Sequence, residues 1–161
     1  MMQRDRDESG HPRNSRPRDA LGRPLPPGST GVPRIPDDLE LDAAETLGYA
    51  QDLLDRGLAF NAHEVLEAAW KNGPDAERDL WQALAQLAVG ITHIQRGNPK
   101  GAISVLRRAS TGLSRRQHPV THGVDTTALA GYADGLIADL QAGAEIGAAR
   151  LRVRLAAESS A

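Results

Sequence analysis

The chain has 161 residues, a formal net charge of −2, 40% hydrophobic and 3% aromatic residues, and no cysteine. This length suits one domain with a tail. The missing cysteines exclude disulfides and thiolate metal sites, and the lack of an 18-residue apolar run excludes a membrane-spanning helix. No short apolar core of a secretory signal stands near the N-terminus, so the cytoplasm is the expected location. Charge is segregated: residues 1–36 carry +3, 37–79 carry −9, 80–124 carry +6 and 125–161 carry −2. Acidic helices packed beside basic ones would produce such a pattern. A nucleic-acid surface on the basic segment is the competing use, but its arginines lack interleaved aromatics.

Residues 1–36 hold seven of the ten prolines, many Arg, Asp, Gly and Ser residues, and almost no apolar periodicity. Such a segment cannot bury enough surface to offset its ordering entropy, which predicts a disordered, basic Pro/Arg-rich arm. From Pro36 the pattern changes to helical spacing: Leu39, Ala43, Leu47, Ala50 and Leu54 predict a first helix over 38–56, with acidic residues crowding its first turns. A second helix over 58–72 stops at Asn72-Gly73-Pro74. A third runs from Asp75 to Gly97. Asn98-Pro99 then supplies an N-cap and a proline at the first helical position, opening a fourth with Ala102, Leu106, Ala109 and Leu113 inside. His118-Pro119 to Gly123 is a loop, and a fifth helix covers 125–141. Residues 142–161 read as a short helical or frayed tail. The fold class is therefore all-α: a compact bundle of about five helices over 37–141, with no strand pattern.

The third helix is the most regular. Leu80, Leu84, Leu87, Ile91 and Ile94 form one apolar stripe, and Gln82, Gln86, Val89 and His93 form another on the opposite side. No formal charge occurs across the sixteen residues between Asp79 and Arg96. Surface helices carry charge on their outer face, so this helix is expected to be central, with its amides and imidazole directed at a neighbour.

The stretch FNAHEVLEAAW, residues 60–70, carries the candidate chemistry. At about 100° per residue, Phe60, His63, Leu66, Glu67 and Trp70 share one face, Glu64 stands at its edge, and Asn61, Ala68 and Asn72 point away. A carboxylate on an aromatic, core-like face is costly unless paired and hydrogen-bonded. Three readings follow. His63, Glu67, Gln82, Gln86 and His93 could form a polar network that sets the register of two helices, supported by Phe60 and Trp70. His63, Glu67 and His93 could instead ligate a divalent cation such as Zn, Fe, Mn or Ni, with Glu64 placed as general base by analogy with the HExxH helix. In the third, metal-free reading Glu67 raises the basicity of His63. His118 and His122 read as solvated turn residues, and His122 becomes a replacement ligand only if the loop folds back on the bundle. No P-loop, GxGxxG or GxSxG pattern is present, so no nucleotide-cofactor residues are assigned.

These residues resemble a bacterial and archaeal family catalogued as domain of unknown function 309. The resemblance rests on FNAHEVLEAAW (60–70), on ERDLWQALAQLA (77–88) and on QRGNPKGA (95–102), and covers roughly 45–115. It implies a small all-helical fold. Members of the family are often labelled predicted metal-dependent hydrolases, which implies His63, Glu64 and Glu67 as the site. The arm and the segment beyond 141 lie outside it. The sequence thus supports a cytoplasmic protein with a metal-dependent hydrolase-like site on the second helix. Its alternatives are a non-catalytic interaction or scaffold domain and, less favoured, nucleic-acid binding through Arg96, Lys100, Arg107, Arg108, Arg115 and Arg116. The partner would be a small molecule or a protein of unspecified identity, with homo-oligomerisation open and no membrane involved.

Overall fold

A computed structural model describes residues 18–26, 31, 32, 35, 36, 38–115 and 118–156. Residues 1–17, 27–30, 33 and 34 of the expected disordered arm, and 157–161 of the expected tail, lie outside the described residues. Among the described residues there are five α-helices and no strand: α1 Ala43–Asp55, α2 Ala59–Asn72, α3 Arg78–Gln95, α4 Pro99–Leu113 and α5 Thr126–Gln141. A 3-10 turn, Asp75–Glu77, leads into α3, and another, Ala148–Leu151, follows α5. The all-α bundle of five helices is the architecture that the periodicity predicts.

Local chemistry sets the helix ends. The expected start of α1 near residue 38 moves to Ala43 because Asp42 is the cap. The Glu45 amide donates to Asp42 Oδ1 at 2.7 Å, and the Asp42 amide donates to Glu45 Oε1 at 3.2 Å. Two orphan donors are thereby satisfied reciprocally, which outweighs any helix start at Pro36. Helix α4 opens as its sequence predicts: the Gly101 amide donates to the Asn98 side chain at 3.1 Å, with Pro99 in the first turn. Asp125 caps α5 in the same way, accepting from Ala128 N–H at 3.0 Å.

Each helix packs on its chain neighbours, and α3 makes the two most extensive interfaces, with α2 and with α4. Its Leu80, Leu84, Leu87 and Ile91 are at most 1% exposed, so the apolar stripe is the core stripe. Gln82, Gln86, Val89 and His93 on the opposite side are half-buried. On α2 the buried side differs from the expected one. Ala59, Ala62, Val65, Leu66 and Ala68 are buried, and Asn61 with them, whereas Phe60, His63, Glu67 and Trp70 are half-buried. The aromatic rings do not mark the core here. A helix wedged between α1 and α3 needs small residues for close approach, and its bulky rings pack along the rim.

Residues beyond α5 pack onto the bundle with Leu151 and Leu155 buried. Gln51 of α1 clamps this segment by donating to Val153 O at 2.9 Å and accepting from Leu155 N–H at 2.8 Å. Tyr132 of α5 donates to Arg150 O at 2.8 Å. The segment therefore bridges α1 and α5.

Helix α3 approaches α4 closely because Gly90 has no side chain: a Cβ there would stand 2.5 Å from Leu106 Cδ2 and 2.6 Å from its Cγ. Gly90→Ala should therefore destabilise the chain by about 1–3 kcal/mol through overpacking. Gly131 of α5 has nothing within 4 Å of the same position, and Gly131→Ala should stabilise by up to about 1 kcal/mol through helix propensity. Urea denaturation of the two variants checks the opposite signs, and equal shifts would contradict the packing.

Candidate functional site

His63, Glu67 and Lys71 follow one another at i, i+4 and i+8 along α2. His63 Nε2 lies 2.7 Å from Glu67 Oε2, and Lys71 Nζ lies 2.6 Å from Glu67 Oε1. His63 Nδ1 lies 3.2 Å from the carbonyl oxygen of Phe60. Both ring nitrogens thus face oxygen atoms. Both Glu67 oxygens in turn face donors. The row is a closed ladder: Phe60 carbonyl, His63 ring, Glu67 carboxylate, Lys71 ammonium. Side-chain exposures of 19% for His63 and 31% for Glu67 place it at the rim of the domain, partly shielded from water. The hydrogen bond from His63, with that from Lys71 and the charges of both, holds the Glu67 carboxyl at about 2, against the burial that pushes it up.

The arm reaches this face. Arg18 stands 5.0 Å from the centroid of the Phe60 ring, Arg96 stands 5.7 Å from it, and the His63 ring lies 5.3 Å away. Arg96 Nε donates to Leu21 O at 2.8 Å, fixing the arm to the end of α3. Gly22, at φ +76°, is the residue laid on Phe60: a Cβ would fall 2.3 Å from Phe60 Cγ, so neither the backbone angle nor the space admits a side chain.

The remaining predicted site residues are placed elsewhere. His93 sits at the α3–α4 turn. Asn98 uses its oxygen for the Gly101 amide, so its NH2 donates to His93 Nδ1 at 3.2 Å. Burial, then the Arg96 charge, push the His93 imidazolium towards deprotonation, which agrees with an accepting Nδ1. Gln82 and Gln86 line a groove between α3 and α4, and among the described residues neither bonds His63 or Glu67. Glu64 is half-buried on α2, and Trp70 packs against the core from the rim. The structure therefore brings His63 and Glu67 together, adds Lys71, and leaves Gln82, Gln86 and His93 on the α4 side. Among the described residues, no group of three His, Asp or Glu side chains is arranged to hold a metal ion. Lys71 places a positive charge against the second Glu67 oxygen.

A second ionisable cluster was not resolved by sequence reasoning. The loop after α4 folds back, and His122 Nε2 lies 2.6 Å from Glu77 Oε1, which also accepts from Trp81 Nε1 at 3.2 Å. The His122 and Trp81 rings stack at 6.0 Å. Glu77 and Trp81 stand at a legible i, i+4 spacing, but nothing local links them to a histidine forty-five residues away. His118 donates to Gly112 O at 2.9 Å, so both loop histidines serve to attach the loop.

Residues 47–105 match the family model described as Domain of unknown function (DUF309), a span running from α1 into α4 and containing the whole ladder. No curated protein and no solved structure matches the chain.

The depressed Glu67 value sets a pH window. Its folded value, about 2, lies below the ordinary 4.5, so the stabilisation is complete above about pH 4.5 and is lost as pH falls towards 2. Carboxyl-carbon NMR should find Glu67 titrating near 2. His63→Phe should raise it more than Lys71→Met, since the His63 hydrogen bond is the largest cause. Glu67→Gln should flatten the stability profile in that window. A wild-type titration near the ordinary value would show that the ladder does not form in solution.

Proposed function

We propose, on the premise that residues 47–105 form a DUF309 domain, that the protein is a non-catalytic helical interaction domain. In this reading the His63–Glu67–Lys71 ladder holds the rim of α2 instead of acting on a substrate. The observation that carries the reading is the pairing of Glu67 from within α2: its two oxygens face His63 Nε2 at 2.7 Å and Lys71 Nζ at 2.6 Å. A general base or a metal ligand needs an available lone pair aimed at a reactant, and each Glu67 oxygen already spends one within α2. The charge pattern suits protein partners, because an acidic α1–α2 side and a basic α4 side give opposite fields for orienting a complementary surface. The cytoplasm is the proposed location. No helix among the described residues is long and apolar enough to cross a membrane.

The competing reading, a metal-dependent hydrolase using His63, Glu64 and Glu67 with His93, keeps one supporting observation. His63 Nε2 and Glu67 Oε2 lie side by side at the partly exposed rim of α2, where a nitrogen and an oxygen donor are close enough to share one cation. Elemental analysis of purified, tag-free protein, followed by titration with Zn, Mn, Fe and Ni salts, separates the two. The interaction reading expects no uptake. It also expects Glu67→Gln to lose only the charge-dependent part of that stability and keep the fold, while Glu67→Ala costs more, about 1–2 kcal/mol, by leaving His63 and Lys71 without their acceptor. Stoichiometric metal in the wild type, lost in both variants, would overturn it.

A further inference from the structure

Helices α3 and α4 meet at small residues, Ala83 against Gly112, and leave between their outer edges a groove of about 370 Å³. That volume is within the range of small-molecule sites. Its two walls differ in chemistry. On the α3 wall stand Gln82 and Gln86, one helical turn apart, with amide donors and acceptors. On the α4 wall Arg108, Thr111 and Arg115 follow at steps of three and four, with Arg107 flanking them. One carboxylate reaches this groove: Asp79, whose Oδ2 is 3.2 Å from Arg115 Nη1. Among the described residues neither Arg107 nor Arg108 has a carboxylate or carbonyl partner. Residues 80–124 contain no acidic residue that could supply one from α3, α4 or the loop.

Three guanidinium groups against one carboxylate leave two positive charges uncompensated, with forked N–H donors beside a row of neutral amides. A carboxylate would use two oxygens and one charge of that set. A phosphate monoester offers three oxygens and up to two charges, and planar guanidinium forks bind such oxygens in pairs. A polynucleotide is a poorer match. No aromatic side chain lines the groove to stack a base. Arg96, at the other end of the basic segment, is committed to the Leu21 carbonyl and the Phe60 ring. Arg107, Arg108 and Arg115 lie outside the span matched by the family model, whereas Gln82 and Gln86 lie inside it.

We propose that the α3–α4 groove binds a small phosphorylated metabolite. Arg107, Arg108 and Arg115 hold its phosphate, and Gln82 and Gln86 hydrogen-bond the hydroxyl or amide groups of its organic part. The groove lies on the α4 side of α3 and is independent of the α2 ladder, so it stands whether or not the interaction reading holds.

Calorimetric titration of the full chain with inorganic phosphate, fructose 6-phosphate and adenosine 5′-monophosphate tests it, with fructose and adenosine as unphosphorylated controls. The phosphate esters should bind and the controls should not. The double variant Arg107→Gln/Arg108→Gln should weaken binding by at least about tenfold with an unchanged thermal midpoint. Asp79→Asn, which releases Arg115, should tighten it several-fold, an outcome that a structural role for these residues would not produce. Gln82→Ala/Gln86→Ala should weaken the esters while leaving inorganic phosphate unaffected. Absence of binding at millimolar ligand, indifference to the arginine variant, or weaker binding in Asp79→Asn would overturn the proposal. So would binding confined to a single-stranded oligonucleotide with a steep salt dependence.

Discussion

Leu106 of α4 fills the notch that Gly90 leaves on α3, and the remaining helices are arranged around that contact. Space for a Cβ at Gly90 is lacking by a wide margin, so the two helices are held at a distance that only small residues permit. Ala83 against Gly112 repeats the device nearly two turns away. With α2 packed on its other flank, α3 keeps one narrow strip towards solvent, occupied by Gln82, Gln86, Val89 and His93. The absence of charge along α3 follows from this. A strip flanked by two helices is too poorly hydrated for an unpaired charge, and amides can exchange partners between protein and water.

Charge is instead handled at helix ends and rims. Glu77 and Asp79 stand at the start of α3, where the helix dipole favours anions, and each takes a basic partner from beyond the body of α4: His122 at 2.6 Å and Arg115 at 3.2 Å. The acidic and basic segments of the chain thus meet there, and the loop between α4 and α5 is drawn back to the beginning of α3. On α2 the pairing is local. Glu67 is satisfied by residues four before and four after it, so its ionisation places no demand on another helix. Helix pairing is then left to apolar packing, and the ladder stabilises α2 and orients His63 beside Phe60. The arm adds Arg18 and Gly22 to the same ring.

Much of the fold was legible because it rests on local rules. The Leu80–Ile91 stripe, the Asn98-Pro99 start of α4 and the stop at Asn72-Gly73-Pro74 each depend on residues within a turn or two of one another, and all five helices follow from such signals. The candidate site was half legible. The i, i+4 pairing of His63 with Glu67 is a property of the sequence, and Lys71 at the next step was equally visible. Its part in the ladder depends on this face lying at the rim, since a core face would not hold a lysine.

The orientation of that face separates the two kinds of information. Sequence alone determined which residues of α2 share a side, since helical periodicity is a local property of the backbone. Which side faced inward was decided by the tertiary structure, because α1 and α3 close on α2 over Ala59, Ala62, Val65, Leu66 and Ala68. The same holds for Gln82, Gln86 and His93. Their common stripe was set by spacing, but its place, in the solvent-facing strip beside α4, came from α3 packing against both α2 and α4. Contacts between residues far apart in the chain, such as Glu77 with His122 and Gln51 with Leu155, leave no periodic trace. They arise only once packing has brought the segments together.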